Sequence, residues 1–341
     1  MKILIINPLD ETNLDGKKGG NQRFAEALAK NIRKHTTHTV VEKYTHFDDH
    51  KLRNIINAYI ENRKINCRGY DVVISIKFPS YVIRHKNHIS LINHRMRRYY
   101  DLWPEYKKSL QGAKLWGQML ARMLFHVVDS YYLKRVKRIY AQSGVIKHRL
   151  ARSGIPSQVL NPPETMRGLT KGKYQYFLLP GRLYDTGKRV SLAIDAMKQV
   201  KGNVKLIITG DGGDAAALRE RARSDPRIMF TGYISERKLA ALYKDALAVI
   251  FIPVAEDYGL VAVEAMKCAK PVITCTDSGG PTELIKNRRN GFICPPRPDR
   301  IASCMTYFAK NKAAAKRMGA QAYADTQSIN WKDYIRKILQ P

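Results

Sequence analysis

The chain has 341 residues, of which 44% are hydrophobic and 26% are charged. This length and composition predict a globular protein with room for two domains, each with its own core. No apolar run reaches the roughly eighteen residues that a membrane-spanning helix needs, so no such helix is predicted. The 60 Lys and Arg residues against 29 Asp and Glu give a formal net charge of +31. Such a field attracts nucleic acid, anionic lipid headgroups and phosphate-bearing substrates alike, and does not distinguish between them.

The cysteines favour a protein of a reducing compartment. There are five, an odd number, with no paired spacing typical of a metal site and with apolar neighbours. We therefore expect reduced core thiols in a cytoplasmic protein. The five are Cys67, Cys268, Cys275, Cys294 and Cys304.

The chain begins with a predicted strand, glycine-rich loop and helix. Residues 2–7 are too short an apolar run for a signal peptide and predict a buried strand. Residues 16–20 are rich in glycine, and apolar residues then recur at helical spacing over 24–32. The loop lacks the Gly-x-Gly-x-x-Gly spacing, so no dinucleotide site is predicted. The pair Gly19 and Gly20 lets backbone N–H groups approach a diphosphate, although a flexible turn explains it equally well.

Further strands are predicted at residues 39–43, 71–76 and 89–92. His94 follows the last of them, at the carboxyl end where parallel sheets bind ligands. A histidine in this position is either a hydrogen-bonded structural residue or a group that faces a substrate. The local sequence leaves both interpretations open.

Residues 95–138 are the most basic part of the chain. Apolar residues recur there at helical spacing between 110 and 128, with lysine and arginine residues among them. One interpretation is a basic amphipathic helix on an anionic membrane surface. The other is a helix that packs on the core and exposes a solvated basic face.

The second half of the chain follows a proline-containing linker. Residues 138–143 predict a strand and a helix then extends to 153, whereas the two prolines at 162 and 163 cannot continue either structure and predict a linker at 161–164. Beyond it, strands and helices alternate with short connections, which predicts an α/β fold with a parallel sheet covered on both faces. Strands are expected at 176–179, 204–209, 228–230, 248–252, 271–274 and 291–293, and helices at 190–200, 215–222, 235–244 and 259–268.

Two cations follow the first strand of this second half. Arg182 comes directly after Pro180 and Gly181, and Lys188 lies six residues further on. Arginine binds phosphate bidentately and lysine acts as a point charge, so the pair suits a diphosphate. In so basic a chain, two neighbouring cations are weak evidence by themselves.

Two glutamates flank a turn into a helix within residues 251–264. Glu256 lies in the loop after a predicted strand, Gly259 allows the turn, and Glu264 lies in the helix. Carboxylates accept hydrogen bonds from vicinal hydroxyls, and the helix N-terminus attracts an anion. The arrangement therefore suits a nucleotide sugar. The alternative is that Glu256 caps the helix and Glu264 is a solvated helix residue.

The segment 251–264 closely resembles the acidic motif of retaining glycosyltransferases with the two-domain GT-B fold, particularly family 4. The resemblance continues through residues 265–273. It implies two Rossmann-like domains facing each other across a cleft, and a C-terminal helix that crosses back to the N-terminal domain. The expected boundaries are 1–160 for an acceptor-binding domain, 161–320 for a nucleotide-sugar-binding domain and 321–341 for the terminal helix.

The resemblance also implies roles for single residues. His94 is expected to face the donor sugar, Glu256 to bind its ring hydroxyls and Glu264 the ribose hydroxyls, while Arg182 and Lys188 stabilise the leaving diphosphate. The expected catalytic residues are His94, Arg182, Lys188 and Glu256. The expected substrate-binding residues are Gly19, Gly20, Gly181, Tyr233, Asp257, Tyr258, Gly259, Leu260 and Glu264.

By this resemblance we expect a retaining transfer of sugar from a nucleoside-diphosphate sugar to a hydroxyl of a glycan or lipid-linked acceptor, in cell-surface polysaccharide or glycoconjugate assembly. A UDP-sugar is the favoured donor and GDP-mannose the alternative. No cofactor and no metal ion are implied, since no Asp-x-Asp pair stands at a strand end. The expected location is the cytoplasm, peripheral to the inner face of the membrane through residues 95–138.

Two alternative functions remain at this level. A GT-B-fold nucleotide-sugar epimerase would bind the same donor and transfer nothing. A basic nucleic-acid-binding protein would also account for the charge. The sequence shows no helix-turn-helix, RNA-recognition or zinc-finger signature, so no specific nucleic acid is expected as a partner.

Overall fold

The computed structural model describes residues 1–10, 19–48 and 51–340. They form two compact units, one of Met1–Asn161 with Trp331–Pro341 and one of Pro162–Asn330. We call these the first unit and the second unit. Residues 16–18 of the predicted glycine-rich loop lie outside the described residues.

The first unit is built on a parallel six-stranded sheet with the order β2-β1-β3-β4-β5-β6. Its central strands β3 and β4 are buried at every residue, as expected of a parallel sheet covered on both faces. The strands are β1 (Lys2–Asp10), β2 (Thr39–Phe47), β3 (Val72–Ile76), β4 (His88–Ile92), β5 (Arg138–Ala141) and β6 (Gln158–Val159).

The helices of the first unit cover this sheet with apolar stripes. In α1 the buried side chains recur every three or four residues from Phe24 to Ile32. The last helix, α14, packs on α1, with the Trp331 ring stacked 5.8 Å from that of Phe24. The helices are α1 (Gly20–His35), α2 (Leu52–Arg63), α3 (Trp103–Lys108), α4 (Gly112–Leu133), α5 (Gly144–Ala151) and, from the end of the chain, α14 (Trp331–Leu339).

The second unit has a parallel six-stranded sheet with the order β12-β11-β10-β7-β8-β9. Its strands are β7 (Tyr176–Pro180), β8 (Leu206–Thr209), β9 (Ile228–Phe230), β10 (Ala246–Ile250), β11 (Val272–Cys275) and β12 (Gly291–Cys294). Its helices are α6 (Asp185–Lys188), α7 (Val190–Gln199), α8 (Ala215–Ala222), α9 (Glu236–Asp245), α10 (Leu260–Lys267), α11 (Pro281–Leu284), α12 (Pro298–Lys310) and α13 (Lys312–Asp325).

Strand β10 differs from the prediction in its bounds. It begins at Ala246, two residues before the predicted start, because the apolar run starts directly after Asp245, where helix α9 ends. The ladder nevertheless continues past Ile250, since the N–H of Phe251 donates to the carbonyl of Ile273. The chain therefore leaves the sheet at the predicted place.

Helix α4 packs on the core, as one of the two interpretations expected, but its exposed face is apolar and not the solvated basic face of that interpretation. One side of α4 packs on the core through Ala121, Phe125 and Leu133. The opposite side exposes apolar residues at helical spacing because nothing in the described residues covers it. The apolar residues exposed there are Trp116, Met119, Leu120, Met123, Leu124, Val127 and Tyr131. Throughout the described ranges, no helix is both long and apolar enough to cross a bilayer.

All five cysteines are free thiols, and four of them are buried. Cys268 illustrates the effect of burial, which raises the pKa of its thiol to about 12. A thiol of this kind stays protonated at neutral pH and packs as a small apolar residue.

His88 is a buried titratable group at the start of β4. Its Nε2 lies 2.8 Å from the hydroxyl oxygen of Ser75 on the neighbouring strand. Burial, followed by the nearby charge of His85, lowers the pKa of His88 to about 4. The folded state therefore opposes protonation of this ring more strongly than the unfolded state does.

We predict that His88 makes the first unit less stable in mild acid. In the unfolded chain the ring takes up a proton below its ordinary pKa of about 6.5, whereas in the folded protein it does so only near 4. The free energy of unfolding therefore falls by about 2 kcal/mol between pH 7.5 and pH 5. In His88→Gln, which keeps a hydrogen-bonding group towards Ser75, that part of the pH dependence should disappear. Urea denaturation at both pH values measures it, and an unchanged pH dependence in the variant would contradict the prediction.

Candidate active site

Two predicted site residues are in direct contact in the second unit. Lys188 Nζ donates to Glu256 Oε2 at 2.5 Å. Lys188 ends the short helix after β7 and Glu256 lies in the loop after β10, and β7 and β10 are paired neighbours in the sheet. Both side chains are about one-third exposed (30% and 27%). The carboxyl ends of adjacent parallel strands thus bring a cation and an anion together at an accessible edge.

Glu256 does not cap helix α10. The N-cap of α10 is Gly259, and no side chain caps this helix. Gly259 has a φ of 104°, and a Cβ on it would lie 3.0 Å from both Phe251 and Pro281. Glycine is therefore required where the loop reverses into the helix. The capping interpretation of Glu256 is wrong because its carboxylate contacts Lys188.

The loop that carries Glu256 rests on a second glycine-rich turn. The N–H of Glu256 donates to Ser278, and the N–H of Gly280 donates back to the carbonyl of Glu256. A Cβ on Gly280 would lie 2.5 Å from Cα of Tyr258, so the two backbones can approach only because this residue is glycine. The side chain of Tyr258 is buried, and its hydroxyl donates to the carbonyl of Pro162 at 3.0 Å. The prediction that Tyr258 contacts a substrate therefore concerns its backbone, because its side chain is occupied elsewhere.

Glu264 is a buried residue, so its interpretation as a solvated helix residue is wrong. It is 7% exposed, and its Oε2 accepts a hydrogen bond of 2.9 Å from the hydroxyl of Tyr243. Tyr243 lies on α9 and is fully buried. Sequence reasoning did not identify this partner, and the signal that could have placed Tyr243 in the core was its spacing of three residues from Ala240 on α9.

The remaining predicted residues of the second unit lie at strand ends. Gly181 and Arg182 follow β7, and Tyr233 follows β9. Arg182 and Tyr233 are exposed, while Asp257 and Leu260 are partly buried beside Gly259. The convergence of Arg182 and Glu264 on the Lys188–Glu256 pair remains a prediction.

Arg189 is a further residue that the sequence did not point to. It directly follows Lys188, adopts a left-handed φ of 53°, and pairs with both carboxylate oxygens of Asp277. Its guanidinium holds the pKa of Asp277 below the usual range. Since Asp277 also accepts the N–H of Ala255 on its backbone carbonyl, this pair fixes the loop before Glu256 to the loop that carries Lys188.

The predicted residues of the first unit are linked by asparagines. Gly19 is the N-cap of α1, and Gly20 begins the helix. The amide of Asn93 donates to Oδ1 of Asn21 at 2.7 Å. His94 follows Asn93, and its ring Nδ1–H donates to the carbonyl of Arg95 at 2.8 Å. A neutral ring held in this way has its lone pair on Nε2.

The buried Tyr243–Glu264 contact gives a test of stability. We predict that Glu264→Ala lowers the free energy of unfolding by about 2 kcal/mol, because it leaves a buried tyrosine hydroxyl without its acceptor. Glu264→Gln should cost less than half as much, since its amide oxygen can still accept from Tyr243. Urea denaturation at pH 7 compares the two variants. An alanine variant as stable as the parent would mean that the carboxylate is solvated after all.

Comparison with known proteins relates this site to one family. Residues 163–325 match the family model described as glycosyl transferases group 1. The alpha-1,3/1,6-mannosyltransferase ALG2 of Homo sapiens is 27% identical over 177 residues, which cover 46% of this chain and 42% of that protein. The chain spans about half of the length, or less, of the curated relatives it matches.

Solved structures resemble the chain over nearly its full length. Sucrose-phosphate synthase from Thermosynechococcus elongatus gives a TM-score of 0.74 at 16% identity, covering 99% of this chain and 97% of that one. Anabaena HepE in complex with UDP and glucose gives 0.69 at 16% identity, covering 99% and 98%. At such identities the likeness shows the fold alone. The family match and these structures together confirm the predicted α/β fold of two Rossmann-like domains and the predicted relationship to GT-B glycosyltransferases. Residues 163–325 match the glycosyl transferases group 1 family, and the chain has the fold of GT-B glycosyltransferases.

Proposed function

We propose that the protein is a retaining glycosyltransferase of family 4 that moves a sugar from a nucleoside-diphosphate sugar to a hydroxyl of a glycan or lipid-linked acceptor. The observation that carries the proposal is the Lys188–Glu256 ion pair, which lies at the carboxyl ends of adjacent strands within the family domain. A partly exposed cation beside a carboxylate, next to a helix N-terminus, matches a ligand with a diphosphate joined to hydroxyls. Its place in cell-surface polysaccharide or glycoconjugate assembly is part of the proposal.

In this proposal the charges of the second unit act on the leaving group. Lys188 and the exposed Arg182 stabilise the diphosphate as the bond to the sugar breaks. Because they supply positive charge at the phosphates, the proposed reaction requires neither a metal ion nor a cofactor. The glycine backbone at Gly181 and the exposed Tyr233 complete the nucleotide side.

The acids and the first unit act on the sugar and the ribose. Glu256 accepts hydrogen bonds from ring hydroxyls, and Glu264 from the ribose hydroxyls. The backbone at residues 257–260 lies against the sugar and phosphate, and the Gly19–Gly20 pair approaches the diphosphate. His94 faces the reacting carbon. The acceptor hydroxyl attacks the face from which the diphosphate leaves, and a donor phosphate oxygen takes its proton, so the anomeric configuration is retained.

A UDP-sugar is the favoured donor. The structure of HepE was solved with UDP and glucose bound, which supports uridine as the base. GDP-mannose is the alternative donor, and the human relative is named a mannosyltransferase. Thermal unfolding with each nucleoside diphosphate distinguishes the two, since a bound ligand raises apparent stability by mass action.

The protein is further proposed to work in the cytoplasm, on the inner face of an anionic membrane, through α4. Four residues of the exposed apolar face, Trp116, Leu120, Met123 and Val127, are between 63% and 68% exposed. Exposed basic residues flank that face at both ends of the helix, and they are Lys107, Lys108, Lys114, Lys134, Arg135 and Lys137. A second copy of this chain would bring like charges against these clusters, whereas anionic headgroups complement them.

Arg182 provides the test of the transfer reaction. We predict that Arg182→Ala lowers acceptor-dependent release of nucleoside diphosphate at least about a hundredfold, because charge stabilisation at the leaving group is lost. Arg223→Ala removes an arginine that is 79% exposed and should leave the rate unchanged. Near-normal turnover in Arg182→Ala would refute the assigned role. A protein that interconverts nucleotide sugars without releasing diphosphate would instead be the epimerase.

The exposed face of α4 provides the test of membrane binding. We predict that the triple variant Leu120→Gln, Met123→Gln, Val127→Gln reduces flotation with anionic vesicles at least about tenfold at physiological salt, because each residue loses apolar area buried in the interface. The double variant Ile56→Gln, Ile60→Gln changes exposed apolar residues on α2 and should bind like the parent. Absence of parent binding to anionic vesicles would contradict the proposal.

A further inference from the structure

The first unit contains a cavity of about 340 Å³ between the segment after β4 and helices α4 and α5. This volume lies within the range of roughly 300–1,000 Å³ typical of small-molecule sites. Basic side chains dominate its polar lining, and they are His94, Arg95, Arg122, His126, Arg149 and Arg152. We call it the arginine cavity.

The arginine cavity carries more positive than negative charge. Asp101 is the one carboxylate among its lining residues. Its oxygen is already shared, because Arg97 contacts it at 2.8 Å and Arg149 at 3.3 Å. Four guanidinium groups therefore line the cavity, and its one lining carboxylate also pairs with Arg97, which is not a lining residue.

Arg95 is fixed in place by neutral groups. It is 7% exposed, it donates to Oγ of Ser153 at 2.9 Å and to the carbonyl of Arg149 at 3.1 Å, and it lies 3.6 Å over the ring of Tyr100. In the part of the chain that the structure describes, no carboxylate forms an ion pair with it. The direct contacts of this buried cation are therefore neutral, and the buried Asp129 acts on it through charge alone.

Arg122 and His126, which both lie on α4, are also held by a neutral group, the carbonyl of Tyr99. Arg122 Nε donates to the carbonyl of Tyr99 at 3.0 Å, and its guanidinium lies 5.1 Å from the ring of Trp103. His126 Nε2–H donates to that same carbonyl at 3.0 Å. Burial, and then the charges of Arg122 and Arg95, lower the pKa of His126, as expected inside a positive cavity.

A buried acid beneath the cavity supports Tyr100. Asp129 accepts hydrogen bonds from the hydroxyls of Tyr100, at 2.6 Å, and Tyr59. Burial raises the pKa of Asp129. Tyr100 in turn provides the ring under Arg95, so the guanidinium keeps its orientation without an ion pair of its own.

We propose that the arginine cavity binds a phosphate group of the acceptor, and therefore that the acceptor is a phosphate ester. Guanidinium groups bind phosphate oxygens bidentately, and groups already held in place lose little freedom on binding. The link to the acceptor rests on the proposed function, in which His94, at the edge of the same cavity, faces the reacting carbon. The phosphate would then hold the acceptor hydroxyl near that histidine.

Phosphate-ester binding to the full-length protein tests this directly. Isothermal titration with glucose 6-phosphate, at constant ionic strength, should show binding that glucose does not show. Arg122→Gln and Arg149→Gln should each weaken it at least about tenfold, because each removes one bidentate partner. Arg53→Gln, an exposed arginine on α2, controls for loss of general charge and should bind like the parent.

Three results would overturn the proposal. The first is the absence of glucose 6-phosphate binding. The second is unchanged binding in both cavity variants, and the third is loss of binding in Arg182→Ala instead, which would place the phosphate in the second unit. Unfolding midpoints check that each variant is folded, and Arg152→Gln, at an exposed position, replaces any variant that is not.

Vesicles distinguish a lipid phosphate from a soluble one. Vesicles with phosphatidic acid should bind more protein than phosphatidylglycerol vesicles of equal charge if the acceptor phosphate is a lipid headgroup, and Arg122→Gln should remove that excess. Binding of glucose 6-phosphate without such an excess identifies a soluble phosphorylated acceptor. UDP binding, measured on the same preparations, tests the proposed donor site separately. If UDP binds and glucose 6-phosphate does not, only the inference about the arginine cavity fails. If glucose 6-phosphate binds and UDP does not, the proposed function fails.

Discussion

Burial of both faces of the central strands in each parallel sheet confines accessible polar groups to the strand ends. In β10, every residue from Ala246 to Ile250 is fully buried, so none can present a polar group to a ligand. The first polar side chain to emerge beyond this strand is Glu256. Because β7 is the hydrogen-bonded neighbour of β10, the loop that follows β7 emerges at the same edge and supplies Lys188. The ion pair is a consequence of strand order.

Close contacts between backbone segments determine the shape of the loop that carries Glu256. Gly280 abuts Tyr258, and Gly259 provides the left-handed turn into α10. Arg189 takes up a left-handed conformation without being glycine, and its bonds to Asp277 hold it there. Conformations of this kind persist where surrounding contacts determine them. The loop of Glu256 is thus held from two sides by backbone contacts and an ion pair.

The sequence predicted the features that depend on periodicity and glycine placement. Alternating strand and helix patterns predicted the parallel sheet of the second unit, and Gly259 predicted the turn into α10, whereas the two-domain architecture came from the family resemblance. The sequence could not predict that Glu264 meets Tyr243, because the two residues are 21 positions apart and only the packing of α9 against α10 brings them together. The same limit applied to α4: helical spacing showed an amphipathic helix, but which face the core would cover depends on tertiary contacts.

The arginine cavity could not be predicted from the sequence for a related reason. Its cations come from the segment after β4, from α4 and from α5, and in a chain with 60 Lys and Arg residues no local cluster distinguishes them. What separates Arg95 from the many solvated cations is its low exposure and its neutral partners. Both are properties of the folded unit.

The buried Asp129 determines how α4 is oriented about its own axis. An all-apolar inner face could rotate by one residue step and bury a different stripe at small cost, as uniform hydrophobic cores allow. Such a rotation would withdraw Asp129 from the hydroxyls of Tyr59 and Tyr100 and leave a carboxyl group stranded among apolar side chains. These hydrogen bonds therefore favour one rotation of α4 about its axis. In that rotation, Trp116 and the other exposed apolar residues face outward, and Arg122 lines the arginine cavity.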